Sequence, residues 1–514
     1  MKRLERITAT EVTKLQSTGC CGSKLYHTLA EIVTVDPDHI LVHAHALYKL
    51  KDDDRDTCRI AGQGNRLIPT PGESRHAPVS KEGDRMFSSA VMQAHCELRN
   101  ETLNSKDFDV VGGFLNVKRT STRRMFLKFP KSLPHPYADK YIEVFGALYG
   151  LGESNRLFHI EADKVCLEAG FTPSSVAPMT YVKTSKSDPN IKCIVNAVVD
   201  DFKTLDNEPS LSNSLRDALK KRFTNITYNE VSTTFAGIES RTLDDGGIFH
   251  SQNRYITRTA ETLGVSELPP VDIPVHDDFF KELSGDDLSD FDPTRYQNLI
   301  GHLIQTLKTR DDIKTFVSYL SSKNISPKVG HFTRAIHILR YLHSTPEVGR
   351  HFKSNSTEIF AHVDTAHANC PDAKSTSAFF LSVGEHNAPF HSEAKSLDHI
   401  ATCPMSAEYM GYTATCQAII HYRQLASDLG FKQKNPTTLL SDNKTAISLT
   451  EAPEISRKSK HILVRYHYIR ELVANNCVIL KYTPSAKLRA NVMTKYLMRA
   501  PFKKERNSLL NLTN

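Results

Sequence analysis

A short apolar run that ends in two adjacent carboxylates, Ile194-Val195-Asn196-Ala197-Val198-Val199-Asp200-Asp201-Phe202, constrains this chain more than any other stretch. Its β-branched residues predict a buried strand. Five other Asp-Asp pairs occur, at Asp52-Asp53, Asp244-Asp245, Asp277-Asp278, Asp286-Asp287 and Asp311-Asp312, and none follows a comparable run of β-formers. Asp is a common turn residue, so a solvated turn is the plain reading of any such pair taken alone. At the end of a buried strand, however, two ionised carboxylates repel one another, and a hard divalent cation with oxygen ligands is the usual way to neutralise them. That chemistry calls for a third carboxylate on another strand.

Asp109 supplies it. It begins an apolar segment, Asp109-Val110-Val111-Gly112-Gly113-Phe114-Leu115, in which the two glycines permit a close backbone approach just before an aromatic ring. Upstream, the runs 40–50 and 58–67 predict a β-hairpin across the acidic turn Lys51-Asp52-Asp53-Asp54. Its second arm carries Arg59 and Arg66 among glycines, where a guanidinium can reach a phosphate or serve as an ordinary surface charge. A helix is expected near Phe87 to Leu98, a strand at 125–130, a helix ending near Ala169 before Gly170-Phe171, and a strand near Met179 to Lys183. Residues 1–35 offer no clear pattern.

At 514 residues, with 39% apolar and 24% charged residues, the chain is long enough for several domains. No stretch of 18 apolar residues exists and the N-terminus lacks the apolar core of a signal peptide, so no membrane partner is expected. Ten cysteines without a Cys-x-x-Cys pair or a zinc spacing read as reduced thiols. A net charge of +7 is compatible with a polyanion partner without establishing one.

The order of these segments resembles the reverse transcriptase of copia-type LTR retrotransposons: Asp109 to Asn116, a strand, Leu148-Tyr149-Gly150-Leu151 opening a helix that ends Gly-Phe, then the Val-Asp-Asp hairpin. Further on, Tyr296 to Leu303, Thr309-Arg310-Asp311-Asp312-Ile313 and His337 to Thr345 are similar to the family's linker between polymerase and nuclease. Val363-Asp364, Ser406-Ala407-Glu408-Tyr409, Ser441-Asp442-Asn443-Lys444, Lys460-His461-Ile462 and Arg465 to Glu471 look like its RNase H domain. The resemblance covers about residues 40 to 500. It implies an α+β polymerase of fingers, palm and thumb/connection, followed by an α/β RNase H-like domain. The expected divisions are a poorly defined lead-in at 1–35, fingers and palm at 36–210, a thumb/connection linker at 211–355, the RNase H-like domain at 356–500 and a tail at 501–514.

The resemblance also implies chemistry. Asp109, Asp200 and Asp201 are expected to hold two Mg²⁺ ions, with Mn²⁺ as a substitute, for nucleotidyl transfer. Phe114 matches the family's steric gate against the 2′-hydroxyl; Arg59 is expected on the triphosphate, and Leu151 and Gly152 beside the template or incoming base. Asp364, Glu408 and Asp442 are expected to hold a second pair of ions for RNA cleavage, with Asn491 where the family has a fourth acid just before Thr494-Lys495. The expected partners are an RNA template, a DNA primer, their RNA/DNA hybrid and dNTPs, in a cytoplasmic virus-like particle with access to the nucleus. His461 and His467 are expected to be ordinary core or surface residues.

Some positions depart from the family's pattern: Val198 replaces an aromatic, Gly152-Glu153 replaces Lys-Gln, and tryptophan is absent. The protease and integrase of a complete element have no counterpart here, so the chain is expected to be one piece of such an element. Two readings stay open, an RNA-directed DNA polymerase fused to RNase H and a non-catalytic nucleic-acid-binding remnant.

Overall fold

The structure, a computed structural model, describes residues 2–49, 57–64, 78–119, 123–223, 225–369, 373–397, 399–451 and 463–512. The run before the carboxylate pair forms the strand Lys192–Val198, buried along all but its last residue. It lies inside a six-stranded sheet ordered Ile226–Asn229, Asn104–Val110, Asp201–Asp206, Lys192–Val198, Thr180–Thr184 and Thr172–Pro173, antiparallel throughout. Side chains alternate between its faces. Val195 and Phe202 point towards helices Ser154–Glu168 and Pro209–Arg222, joining Leu157, Phe158, Val165, Leu215 and Leu219 in one core. Ile194 and Leu205 point the other way, towards helix Glu82–Arg99.

The fingers are a five-stranded sheet ordered Cys21–Tyr26, Tyr141–Val144, Met125–Lys128, Ile40–Lys49 and Thr57–Gly62. Residues 2–35, read from the sequence as a poorly defined lead-in, are part of it: helix Lys2–Ser17 buries Ile7, Val12 and Leu15 against Val42, Cys58 and Ile60, and Cys21–Tyr26 forms an edge strand. Apolar residues at this helix's spacing are interrupted by Lys, Arg and Thr, which masks its buried stripe in the sequence. Arg66 lies outside the described residues, as do Lys460, His461 and Ile462.

The connection contains a four-stranded sheet, Thr234–Phe235, Ile238–Thr242, Ile248–Ser251 and Arg350–Phe352, and the helices Asn253–Thr262, Pro293–Thr306, Lys314–Ser321 and Val329–His343. In its middle, Asp311 and Asp312 are fully buried. Arg350 donates to both oxygens of Asp311 at 2.8 Å, and Arg310 donates to both oxygens of Asp312 at 2.9 and 3.0 Å.

The C-terminal unit is a five-stranded sheet ordered Pro389–Ser396, Thr376–Val383, Ile359–Ala366, Thr437–Ser441 and Val478–Tyr482. The first three strands are antiparallel and the last two run parallel to Ile359–Ala366. The long helix Pro404–Asp428 covers this sheet. Residues 501–514, expected to be a tail, instead include most of helix Arg499–Leu510, whose Phe502, Leu509 and Leu510 are buried in the connection core. Their apolar spacing is short and flanked by charge, so the sequence alone does not reveal that the helix docks.

Candidate active sites

Hairpin geometry assembles the first site. Asp201 pairs with Val198 across the hairpin, leaving Val199 and Asp200 as its two-residue loop. Val199 adopts φ +59°, a left-handed conformation that costs a β-branched residue about 1–3 kcal/mol and that glycine usually fills in such loops. The strained turn puts Asp200 at the tip. On the other side Asp201 lies opposite Asp109, the Asp200 carbonyl accepts a hydrogen bond from Val110 N at 3.2 Å, and Thr227 Oγ1 donates to Asp109 Oδ2 at 3.5 Å. A side chain at Gly113 would come within 2.7 Å of the Phe158 ring and 3.3 Å of Asp200 Cβ, so the residue after Gly112 has to be small.

The structure therefore brings Asp109, Asp200 and Asp201 together, and their electrostatics reflect the crowding. Burial, then the charges of Asp200 and Asp109, push Asp201 up to about 6. Burial also raises Asp200, reinforced by Asp109 and opposed by Arg59. Arg59 is thus close enough to act on the site. Its guanidinium lies 4.4 Å from the centre of the Tyr149 ring, and Tyr149 meets Phe114 edge-on at 5.8 Å. Phe114, half-buried, also contacts Phe158 at 5.7 Å. Tyr149, which joins the expected phosphate cation to the expected gate, is a residue that sequence reasoning passed over, although it stands inside the Leu-Tyr-Gly-Leu motif.

The side chain of Leu151, expected beside the template or incoming base, is buried, and its Cδ2 fills the space that a side chain at Gly62 would need. An apolar residue in this turn is drawn inward because the facing fingers strand is stripped to glycine. Gly64 N donates to the Gly150 carbonyl at 3.1 Å and Gly62 N to that of Tyr149 at 2.8 Å, while Gly150 at φ +81° has no room for a side chain against Gly62 O. Gly152, half-buried, remains beside this backbone junction.

The second site draws on three elements. Asp364 lies on the central strand Ile359–Ala366 and is 1% exposed, Glu408 lies in the first turns of helix Pro404–Asp428, and Asp442 follows strand Thr437–Ser441, which runs parallel to Asp364's strand. Burial, then the charges of Asp364 and Asp442, hold Glu408 up to about 8. Asn443 hydrogen-bonds Glu408, yet the buried Oε2 has no partner. Asp364 is better served: Thr494 Oγ1 donates to its Oδ2, and Lys495 Nζ lies 3.4 Å from each oxygen. Asn491 is 8% exposed, gives its amide N–H groups to Ser485, and receives a hydrogen bond from Lys495 Nζ at 3.0 Å on Oδ1. Thr494 and Lys495 are neighbours of Asp364 that the sequence marked only as a motif.

Among the described residues, no group of three or more His, Cys, Asp or Glu is drawn together closely enough to hold a metal ion by itself. Magnesium suits such a site, because it is bound through one or two carboxylates with waters and substrate phosphates completing the shell. The orphaned Glu408 Oε2 and the mutually repelling carboxylates of the first cluster fit a hard cation.

Sheets and clusters together define a class: a polymerase fold joined to an RNase H-like domain. No family model matches the chain. Among curated relatives, the retrovirus-related Pol polyprotein from transposon RE1 of Arabidopsis thaliana is 28% identical over 401 residues, covering 77% of this chain and 27% of that protein. The corresponding polyprotein from transposon TNT 1-94 of Nicotiana tabacum is 24% identical over 362 residues, covering 69% and 27%. The chain thus spans about a quarter of the length of these relatives. Its homologues are Pol polyproteins of plant copia-type retrotransposons, as the motif order implied. In fold, the chain is similar to a foamy viral protease-reverse transcriptase solved with double-stranded DNA, with a TM-score of 0.52, 11% identity, and coverage of 94% of this chain and 70% of that one. The fold class expected from the sequence is the one found.

Proposed function

We propose that the chain copies RNA into DNA at Asp109, Asp200 and Asp201, and cleaves the RNA of the resulting hybrid at Asp364, Glu408 and Asp442. The observation that carries the reading is the register of Asp201 against Asp109, with Asp200 at the tip of the adjoining turn. Carboxylates gathered from two strands with Arg59 as the nearby cation suit nucleotidyl transfer, in which the protein chiefly positions groups and balances charge. Two Mg²⁺ ions, held by these residues together with phosphate oxygens, would supply Lewis acidity to the attacking and leaving oxygens. Phe114 excludes the 2′-hydroxyl of an incoming nucleotide, and Arg59 holds its triphosphate. In the nuclease, Asp364, Glu408 and Asp442 would hold divalent metal against the RNA phosphate, and A-form shape with its 2′-hydroxyls selects the RNA strand.

The expected partners are a primed RNA template, dNTPs and the hybrid product, in keeping with the double-stranded DNA bound by the foamy viral protein of similar fold. Primer extension on a homopolymer RNA template with Mg²⁺, followed by degradation of the labelled RNA, tests both activities. Extension that disappears in Asp200→Asn supports the reading. Binding of primed template without extension at any Mg²⁺ or Mn²⁺ concentration overturns it in favour of a non-catalytic remnant.

A further inference from the structure

The nuclease cluster contains a cation of its own. Lys495 Nζ lies 3.4 Å from both oxygens of Asp364 and 3.0 Å from Asn491 Oδ1, bridging the most buried carboxylate of the cluster and the position where a fourth acid is expected. Asn491 cannot turn away, because both its Nδ2 hydrogen bonds go to Ser485, one to the carbonyl and one to the hydroxyl. Its oxygen is therefore fixed towards the ammonium. Glu408, in the same cluster, is 6% exposed and its Oε2 has no partner. The cluster thus pairs one carboxylate with a lysine and leaves a buried oxygen of another without a partner.

We infer that Lys495 takes the place of one of the two ions, so that the nuclease site binds a single divalent cation between Asp364, Glu408 and Asp442. The inference rests on the nuclease reading given above. Charge agrees with it: in the metal-bound form three carboxylates and one ammonium leave two negative charges, which one divalent ion cancels, while a second ion would leave the site positive before any phosphate arrives. Asn491 is consistent with the exchange. An acid there would draw in a second metal, whereas an amide oxygen accepts the ammonium's hydrogen bond without adding charge.

Counting ions tests this without reference to turnover. The full chain carrying Asp200→Asn and Asp201→Asn, which disable the polymerase cluster, is titrated with Mn²⁺ in the presence of a non-cleavable RNA/DNA hybrid, and bound Mn²⁺ is counted by electron paramagnetic resonance. Ions lost on adding Asp442→Asn belong to the nuclease. One such ion is expected, and one again in Lys495→Arg, which keeps the charge. Two are expected when Lys495→Gln is combined with Asn491→Asp. Two ions in the unmodified nuclease, or one in that combined variant, would overturn the inference while leaving the nuclease reading intact. No ion in any of them overturns both. Thermal melting of each variant, matching the parent, verifies that the count refers to folded protein.

Discussion

Asp201 stands directly across the antiparallel ladder from Asp109, with its carboxyl pushed up to about 6 by burial and by the charges of Asp200 and Asp109. Carboxylates so placed repel until a cation joins them. Asp109→Asn and Asp200→Asn should each remove several kcal/mol of transition-state charge balance, on the order of a thousand-fold in extension rate at about 1.4 kcal/mol per decade. Single-turnover extension measures this, and primer-template binding should change little.

On the proposed reading Phe114 limits the sugar of the incoming nucleotide. Phe114→Ala should admit ribonucleotides by at least about tenfold, because a clash with the 2′-hydroxyl is removed, while dNTP incorporation falls modestly. The ratio of kcat/KM for rNTP and dNTP is the readout. An unchanged ratio would mean that the ring serves only to pack against Tyr149 and Phe158.

Glu408 gives a pH dependence with a definite sign. Burial and its acidic neighbours raise it from 4.5 to about 8, so the folded protein keeps a proton that the unfolded chain gives up. Its contribution to stability is full below about 4.5 and is lost as pH rises through about 8. Metal-free protein should therefore melt at a lower temperature at about pH 8.5 than at about pH 6, and Glu408→Gln should flatten that slope. Mg²⁺ should raise Tm most at the higher pH, where it meets the ionised form. Differential scanning calorimetry at the two pH values checks all three statements.

The buried pairs of the connection predict a large loss. Against the upward push of burial, Arg350 and Lys314 hold Asp311 well below the usual carboxylate range, and Arg350→Met would leave that charge buried with Lys314 as its remaining cation at 3.3 Å. The expected cost is about 3–5 kcal/mol. Adding Asp311→Leu should recover most of it, since a packed apolar pair can replace a buried ionic one. Urea unfolding of the single and double variants measures both quantities.

These pairs also mark what the sequence could convey. Asp200-Asp201 was legible because its own strand precedes it, and Asp109 because Gly112-Gly113 and Phe114 follow it. Asp311-Asp312 looked like the exposed pairs at 244–245, 277–278 and 286–287, yet it is fully buried. What neutralises Asp311 is Arg350, 39 positions away, and no local pattern encodes a partner at that distance. The same reason hid Lys495's contact with Asp364 and the docking of helices Lys2–Ser17 and Arg499–Leu510, whose cover comes from other elements of the fold. Periodicity reports which side of an element is apolar, not what will lie against it.

Helix Glu82–Arg99 lies in one core shared by two sheets. It faces Ile194 and Leu205 of the six-stranded sheet, and its Phe87 ring meets Phe390 of the RNase H-like sheet at 5.0 Å and Tyr422 of the long helix on that sheet at 5.7 Å. His421 of that same helix reaches the buried Asp84 at 2.9 Å. On the proposed reading this shared core holds Asp200 and Asp364 in one arrangement, and RNA should be cut at a constant number of base pairs behind the growing DNA end rather than over a broad range.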